Sequence, residues 1–103
     1  AQTFLARLVG FLGRNVPKAT ALILRPCRAV HTWFMRQAID VLFLDATWRV
    51  IHIIEKMPPF KISPVVPAAL MVAEMAAGRV AESGTRCGDE LQVTGGAGYA
   101  QTD

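Results

Sequence analysis

Leu24-Arg-Pro-Cys-Arg-Ala-Val-His-Thr-Trp-Phe-Met-Arg-Gln-Ala-Ile-Asp-Val-Leu-Phe-Leu-Asp45 is the stretch on which the reading of this 103-residue chain turns. It is entered through Ala21 to Arg25, a short apolar run closed by Pro26, which reads as a buried strand. Val30 to Met35 is rich in β-branched and aromatic residues and reads as a second strand. Ile39 to Leu44 is a third. Just beyond it, Trp48 to Glu55 carries Val50, Ile51, Ile53 and Ile54 and reads as a fourth. Only Asp45 to Thr47 separates the third from the fourth, a gap short enough for a hairpin.

Working outward, Thr3 to Arg14 carries Phe4, Leu5, Leu8, Val9 and Leu12 at spacings of three and four. That spacing predicts an N-terminal amphipathic helix, stopped by Gly13, Asn15 and Pro17. On the other side, Met57 to Pro67 holds four prolines. Such a segment is an extended loop with few backbone donors. Ala68 to Glu82 is ambiguous. Its Ala, Leu, Met and Glu favour helix throughout, whereas a strand over Ala69 to Met75 followed by a short helix over Ala77 to Ser83, capped by Gly84, fits as well. Glu90 to Val93 reads as a last short strand. One globular domain over residues 1–93 is expected, and the glycine-rich residues 94–103 are expected to form a mobile tail.

The composition is globular: half of the residues are apolar and fewer than a fifth are charged. No run approaches the ~18 unbroken apolar residues of a membrane-spanning helix, because Pro67 and Glu74 interrupt the most apolar one. The net charge of +3 is mild and its basic residues are scattered, so nucleic-acid binding is not expected. Cys27 and Cys87 do not make a disulfide framework, and whether they pair depends on the fold. The start of the chain lacks the pattern of a secretory signal. With cysteines this sparse, the reading leans to the cytoplasm, although the N-terminus begins without Met.

The Pro26 to Asp45 core resembles an uncharacterised prokaryotic family known as domain of unknown function 192. That family carries Pro-Cys, then Ile-His-Thr-Phe-Phe-Met-Arg-x-Pro-Ile-Asp-Val-x-Phe-Leu-Asp. Met57 to Phe60 is similar to its Leu-Pro-Pro loop, Val72 to Gly78 to its Val-Leu-Glu-Leu-x-Ala-Gly stretch, and Gly84 to Asp89 to its Gly-Thr-x-x-Gly-Asp ending. The likeness extends over about residues 3–93. It implies an α+β, mainly β fold, a compact antiparallel or mixed sheet or small barrel with helices packed on it. It also decides Ala68 to Met75 in favour of strand. Three departures stand out. Gln37-Ala38 replaces an aromatic and a proline, and Ala46-Thr47-Trp48 replaces the family's Asp-Gly turn. One or two strands that commonly precede the first helix are lacking, which would expose a sheet edge to a partner chain or a second copy.

The resemblance supplies no activity, so chemistry is read from the residues. His31 with Asp40 or Asp45 could form an acid–base pair, the carboxylate fixing the imidazole tautomer. The blander alternative is a histidine satisfied by backbone, with Asp40 accepting N–H bonds across a turn. Thr32 points away from His31 along a strand, which disfavours a Thr–His nucleophile. Cys27 and Ser63 are the other nucleophile candidates, and no thiol-enzyme signature surrounds Cys27. His31, His52, Cys27 and Cys87 lack paired metal-ligand spacing, so neither a metal nor a cofactor is expected. Asp40 and Asp45 are roughly 16–17 Å apart along a strand, too far to share a bond. Trp33, Phe34, Trp48 and Phe60 are candidate groove aromatics, Trp48 and Phe60 being those expected at the surface. The expectation is a non-catalytic binding or interaction module. Its shallow pocket gathers His31, Thr32, Met35, Arg36 and Asp40, with Arg36 as the contact for a small anionic ligand. The alternatives are a small enzyme using His31 as base oriented by Asp40, and a subunit that completes its sheet with a protein partner.

Overall fold

A computed structural model describes the backbone of residues 2–11, 19–33 and 35–101, and side chains at residue 3 and over 21–33 and 35–92. The strand predicted over Ile39 to Leu44 is β3 (Ile39–Leu44), and Val41, Leu42, Phe43 and Leu44 are each 0% exposed. Alternation is absent because both faces of this strand are covered. Leu42 and Leu44 pack into one apolar cluster, whereas Val41 and Phe43 pack into another. Each large side chain enclosed this way contributes about 1.5–3 kcal/mol.

Among the described residues, six strands and one helix follow in the order β1 (Gln2–Phe11), β2 (Ala19–Arg25), β3, β4 (Val50–Met57), β5 (Met71–Ala76), α1 (Arg79–Ser83) and β6 (Leu91–Gln101). All neighbours in the sheet are antiparallel, in the order β4-β3-β5-β2-β1-β6. The start of β4 turns back onto the approach to β6. Val50 N–H donates to the Asp89 carbonyl (2.7 Å) and Leu91 N–H to the Trp48 carbonyl (2.9 Å), with Arg49 opposite Glu90. The two outer strands therefore meet at one end, and the sheet is a partly closed barrel.

One face, with Ile23, Leu42 and Met71, is covered by Val80 of α1 and by Leu91. The opposite face, with Val41, Phe43 and Val72, is covered by Val30 and Ala69 from the two long loops and by Met57 at the end of β4. With five residues, α1 is too short to hold itself. It is closed by Gly84 at φ 69°, whose N–H reaches the Val80 carbonyl (2.9 Å), as expected from the sequence. Among the described residues no helix is long and apolar enough to cross a membrane.

Three expectations are corrected. The amphipathic helix predicted from Thr3 to Arg14 is strand β1 as far as Phe11, and 12–14 lie outside the described residues. Its apolar spacing suited a helix, but Thr3, Phe4, Val9 and Phe11 are good strand formers. A continuous register from Gln2↔Arg25 to Leu8↔Ala19, with β6 on the other side, outweighs local propensity. β1 lies inside the sheet, whose outer strands are β4 and β6. Val30 to Met35 is not a strand either: it gives one isolated bridge, His31↔Ile62, and a turn in which Met35 N–H reaches the Thr32 carbonyl (3.2 Å). The strand expected to end at Val93 continues to Gln101, through the stretch assigned to a tail, paired with β1.

The Asp-Gly turn that the sequence lacks is replaced by a side chain. Asp45 Oδ1 accepts Thr47 Oγ1–H (2.7 Å), Thr47 N–H (2.8 Å) and Arg49 N–H (3.0 Å), while Trp48 takes the left-handed conformation at φ 66°. The bond from Thr47 and those from the backbone hold the Asp45 carboxyl below its usual range.

Candidate functional site

Thr32 is fully buried and ties the two loops together. Its Oγ1 donates to the Pro58 carbonyl (2.6 Å) and accepts Lys61 N–H (2.9 Å). Its backbone N–H reaches the Lys61 carbonyl (2.8 Å), and its carbonyl accepts Phe60 N–H (2.9 Å). A proline-rich loop offers few donors of its own, and Thr32 meets those that remain. Nearby, Ser63 Oγ accepts Val30 N–H (2.9 Å), and Ser63 N–H reaches the Val30 carbonyl (2.8 Å). The segment 30–35 is thus laced to 58–63.

That lacing displays a rim. His31 is exposed, stands opposite Ile62 in the bridge, and its ring lies 6.5 Å from that of Trp33 at 52°. Trp33 is 45% exposed, and Phe60 and Ile62 are each 66% exposed. Phe60 also sits at φ 61°. A bulky residue there costs roughly 1–2 kcal/mol that a glycine would avoid. Arg36 and Lys61 are exposed, and Met35 is half-buried. Trp48, expected at the surface, instead packs half-buried on the α1 side, and Phe34 lies outside the described residues.

Asp40 belongs to the framework. It is 0% exposed, with Oδ1 accepting Lys56 N–H (2.9 Å) and Oδ2 accepting Gly78 N–H (3.0 Å) and Val80 N–H (2.8 Å). The register shifts between Ile39↔Met57 and Val41↔Ile54, so β4 bulges opposite Asp40, with Lys56 at φ 52°. One carboxylate therefore fills the bulge and caps α1, whose own N-cap, Gly78, has no side chain to do so. Three backbone donors occupy Asp40. The five residues grouped by sequence divide: Thr32 and Asp40 hold the fold, while His31 and Arg36 stand on its surface and Met35 lies between.

Two residues of interest carried little sequence signal. Ile62 looked like one loop residue among several. Glu74 was legible only as a lone charge inside the apolar Met71–Ala76 run. It is 9% exposed, and burial pushes its carboxyl above the usual range. Cys27 lies close enough to feel Glu74. Burial raises this thiol, backbone hydrogen bonding at Ala29 partly offsets the rise, and Glu74 adds to it. Both Cys27 and Cys87 are free. Among the described residues no three His, Cys, Asp or Glu side chains gather as a metal site requires.

Comparison with curated proteins finds no match. The crystal structure of a protein of unknown function from Novosphingobium aromaticivorans DSM 12444 is similar in fold, with a TM-score of 0.67 at 15% identity over 87% of this chain and 84% of that one. The family model of DUF192, described as "Uncharacterized ACR", matches residues 1–93. The chain belongs to the DUF192 family.

Proposed function

We propose that this protein is a non-catalytic binding module whose contact surface is the rim of His31, Trp33, Arg36, Phe60 and Ile62. The observation that carries this reading is Phe60. An aromatic ring is 66% exposed in a left-handed backbone position, on a loop otherwise fixed by Thr32. Strain retained on a rigid frame is a feature of binding sites. Exposed aromatic and apolar groups, with exposed Arg36 and Lys61 on the same two loop segments, suit an amphipathic anion, with an apolar body against Trp33 and Phe60 and an acid group on the arginine fork. Occupation of Asp40 by backbone donors weighs against the rival in which His31 is an oriented base.

The test is a fluorescence titration with 8-anilinonaphthalene-1-sulfonate, an aromatic anion. Wild type is expected to bind saturably. Trp33→Ser, Phe60→Ser and Arg36→Ala should each weaken binding about tenfold, or ~1.4 kcal/mol, with unfolding midpoints unchanged or raised. Variants that bind as wild type does would remove the rim from consideration.

A further inference from the structure

Two loops lie over one face of the sheet, 26–38 between β2 and β3 and 58–70 between β4 and β5. They run together as one strip. Cys27 N–H reaches the Leu70 carbonyl (2.9 Å), Val66 N–H reaches the Arg28 carbonyl (2.8 Å), and the bonds of Val30 with Ser63 and of Thr32 with Lys61 continue the lacing. Val30, Thr32 and Ser63 are buried toward the sheet, whereas His31, Trp33 and Ile62 are exposed and face away from it. Among the described residues the exposed large hydrophobics are Trp33, Phe60, Ile62, Val65 and Leu70, and all five lie on this strip. Its charge has one sign. Arg28, Arg36 and Lys61 are exposed on it, and neither loop contains an Asp or Glu. The other eight basic residues of the chain balance its eight acidic ones, so the net charge of +3 is that of the two loops.

We propose that this strip is a membrane-docking surface, which seats on an anionic lipid bilayer with Trp33, Phe60, Ile62 and Val65 in the interface and Arg28, Arg36 and Lys61 on the headgroups. The inference rests on the rim reading and names its amphipathic anion as a lipid within a bilayer. Aromatic rings settle at headgroup level, and each cation adds to the attraction of an anionic surface. The backbone favours a bilayer over a protein partner. Pro58, Pro59, Pro64 and Pro67 have no N–H, and Phe60, Lys61, Ser63, Val66, Ala69 and Leu70 donate theirs inside the protein. A segment with so few donors left offers little to a pairing strand. The same segment enters a poorly hydrated interface while leaving few polar groups unmet.

The full chain is sedimented with vesicles of phosphatidylcholine containing about one-third phosphatidylglycerol, and with vesicles of phosphatidylcholine alone. The mixed vesicles should carry the protein down and the neutral ones should not. Raising salt from about 0.1 to about 0.5 M should weaken the binding. Arg36→Ala and Val65→Ser should each lower the partition coefficient about fivefold. Arg86→Ala, an exposed cation lost beyond α1, should leave it unchanged. Val65 is outside the rim, so Val65→Ser should still bind 8-anilinonaphthalene-1-sulfonate as wild type does. Saturable binding of that dye without binding to the mixed vesicles would overturn this inference and leave the rim to a soluble ligand or a protein. Absence of both would remove both readings. Equal sedimentation with neutral vesicles, undiminished binding by Arg36→Ala and Val65→Ser, or a loss in Arg86→Ala equal to that in Arg36→Ala would each overturn it as well.

Discussion

Thr32, Asp40 and Glu74 are all buried polar residues, and they differ in what meets them. The hydroxyl of Thr32 and the carboxylate of Asp40 are consumed by backbone groups of neighbouring loops. Glu74 is set apart by a definite pH signature. Its carboxyl is pushed above the unfolded value by burial, so the folded state keeps a proton that the unfolded chain has released. Stability from this group is complete below the unfolded value and is lost as pH rises through the folded one. Glu74→Gln, a neutral isostere, is therefore expected to raise the unfolding midpoint at pH 8 and to change it little at pH 4. Denaturant melts at the two pH values measure this, and an equal effect at both would contradict the assignment. The sequence showed Asp40 and Thr32 as part of a motif but not their partners. Those partners are backbone N–H and carbonyl groups as far off as Val80 and Pro58, and such groups leave no mark in residue identity.

The elements most legible in the sequence were β2, β3, β4 and the end of α1, where apolar runs and Gly84 agree with the tertiary structure, whereas the residues of β5 suited helix as well and the family resemblance decided for strand. The N-terminal segment failed because the positions of Phe4, Leu5, Leu8 and Val9 suit a helical stripe, while strand pairing depends on β2 and β6 far along the chain. Val30 to Met35 failed for the opposite reason. Its β-branched and aromatic composition serves a loop-to-loop lacing of one bridge instead of a ladder. The lacing leads to a prediction for the proline loop. Phe60→Gly replaces a strained left-handed residue with one that tolerates it. The variant should gain up to about 1 kcal/mol in denaturant unfolding while losing binding of the aromatic anion. A loss of stability would mean that the Phe60 ring supports the fold.

The molecule as a whole is a curled sheet whose ends meet through Val50, Asp89 and Leu91. If that seam is part of the cooperative core, the amides of Val50 and Leu91 exchange with solvent as slowly as that of Leu42; exchange at loop rates would mean an open sheet. The family and the β-rich architecture were legible from the Pro26 to Asp45 motif, and the DUF192 match bears this out. The division of that motif into framework and surface was not, because it depends on which loop covers which face. This division is the central claim, and equilibrium denaturant unfolding of His31→Ala and Asp40→Ala beside wild type tests it most directly. Exposed His31 should change stability by no more than about 0.5 kcal/mol. Loss of the Asp40 carboxylate, which leaves three backbone donors without their acceptor, should cost about 3 kcal/mol or more. Equal losses in the two variants, or a neutral Asp40→Ala, would contradict the account.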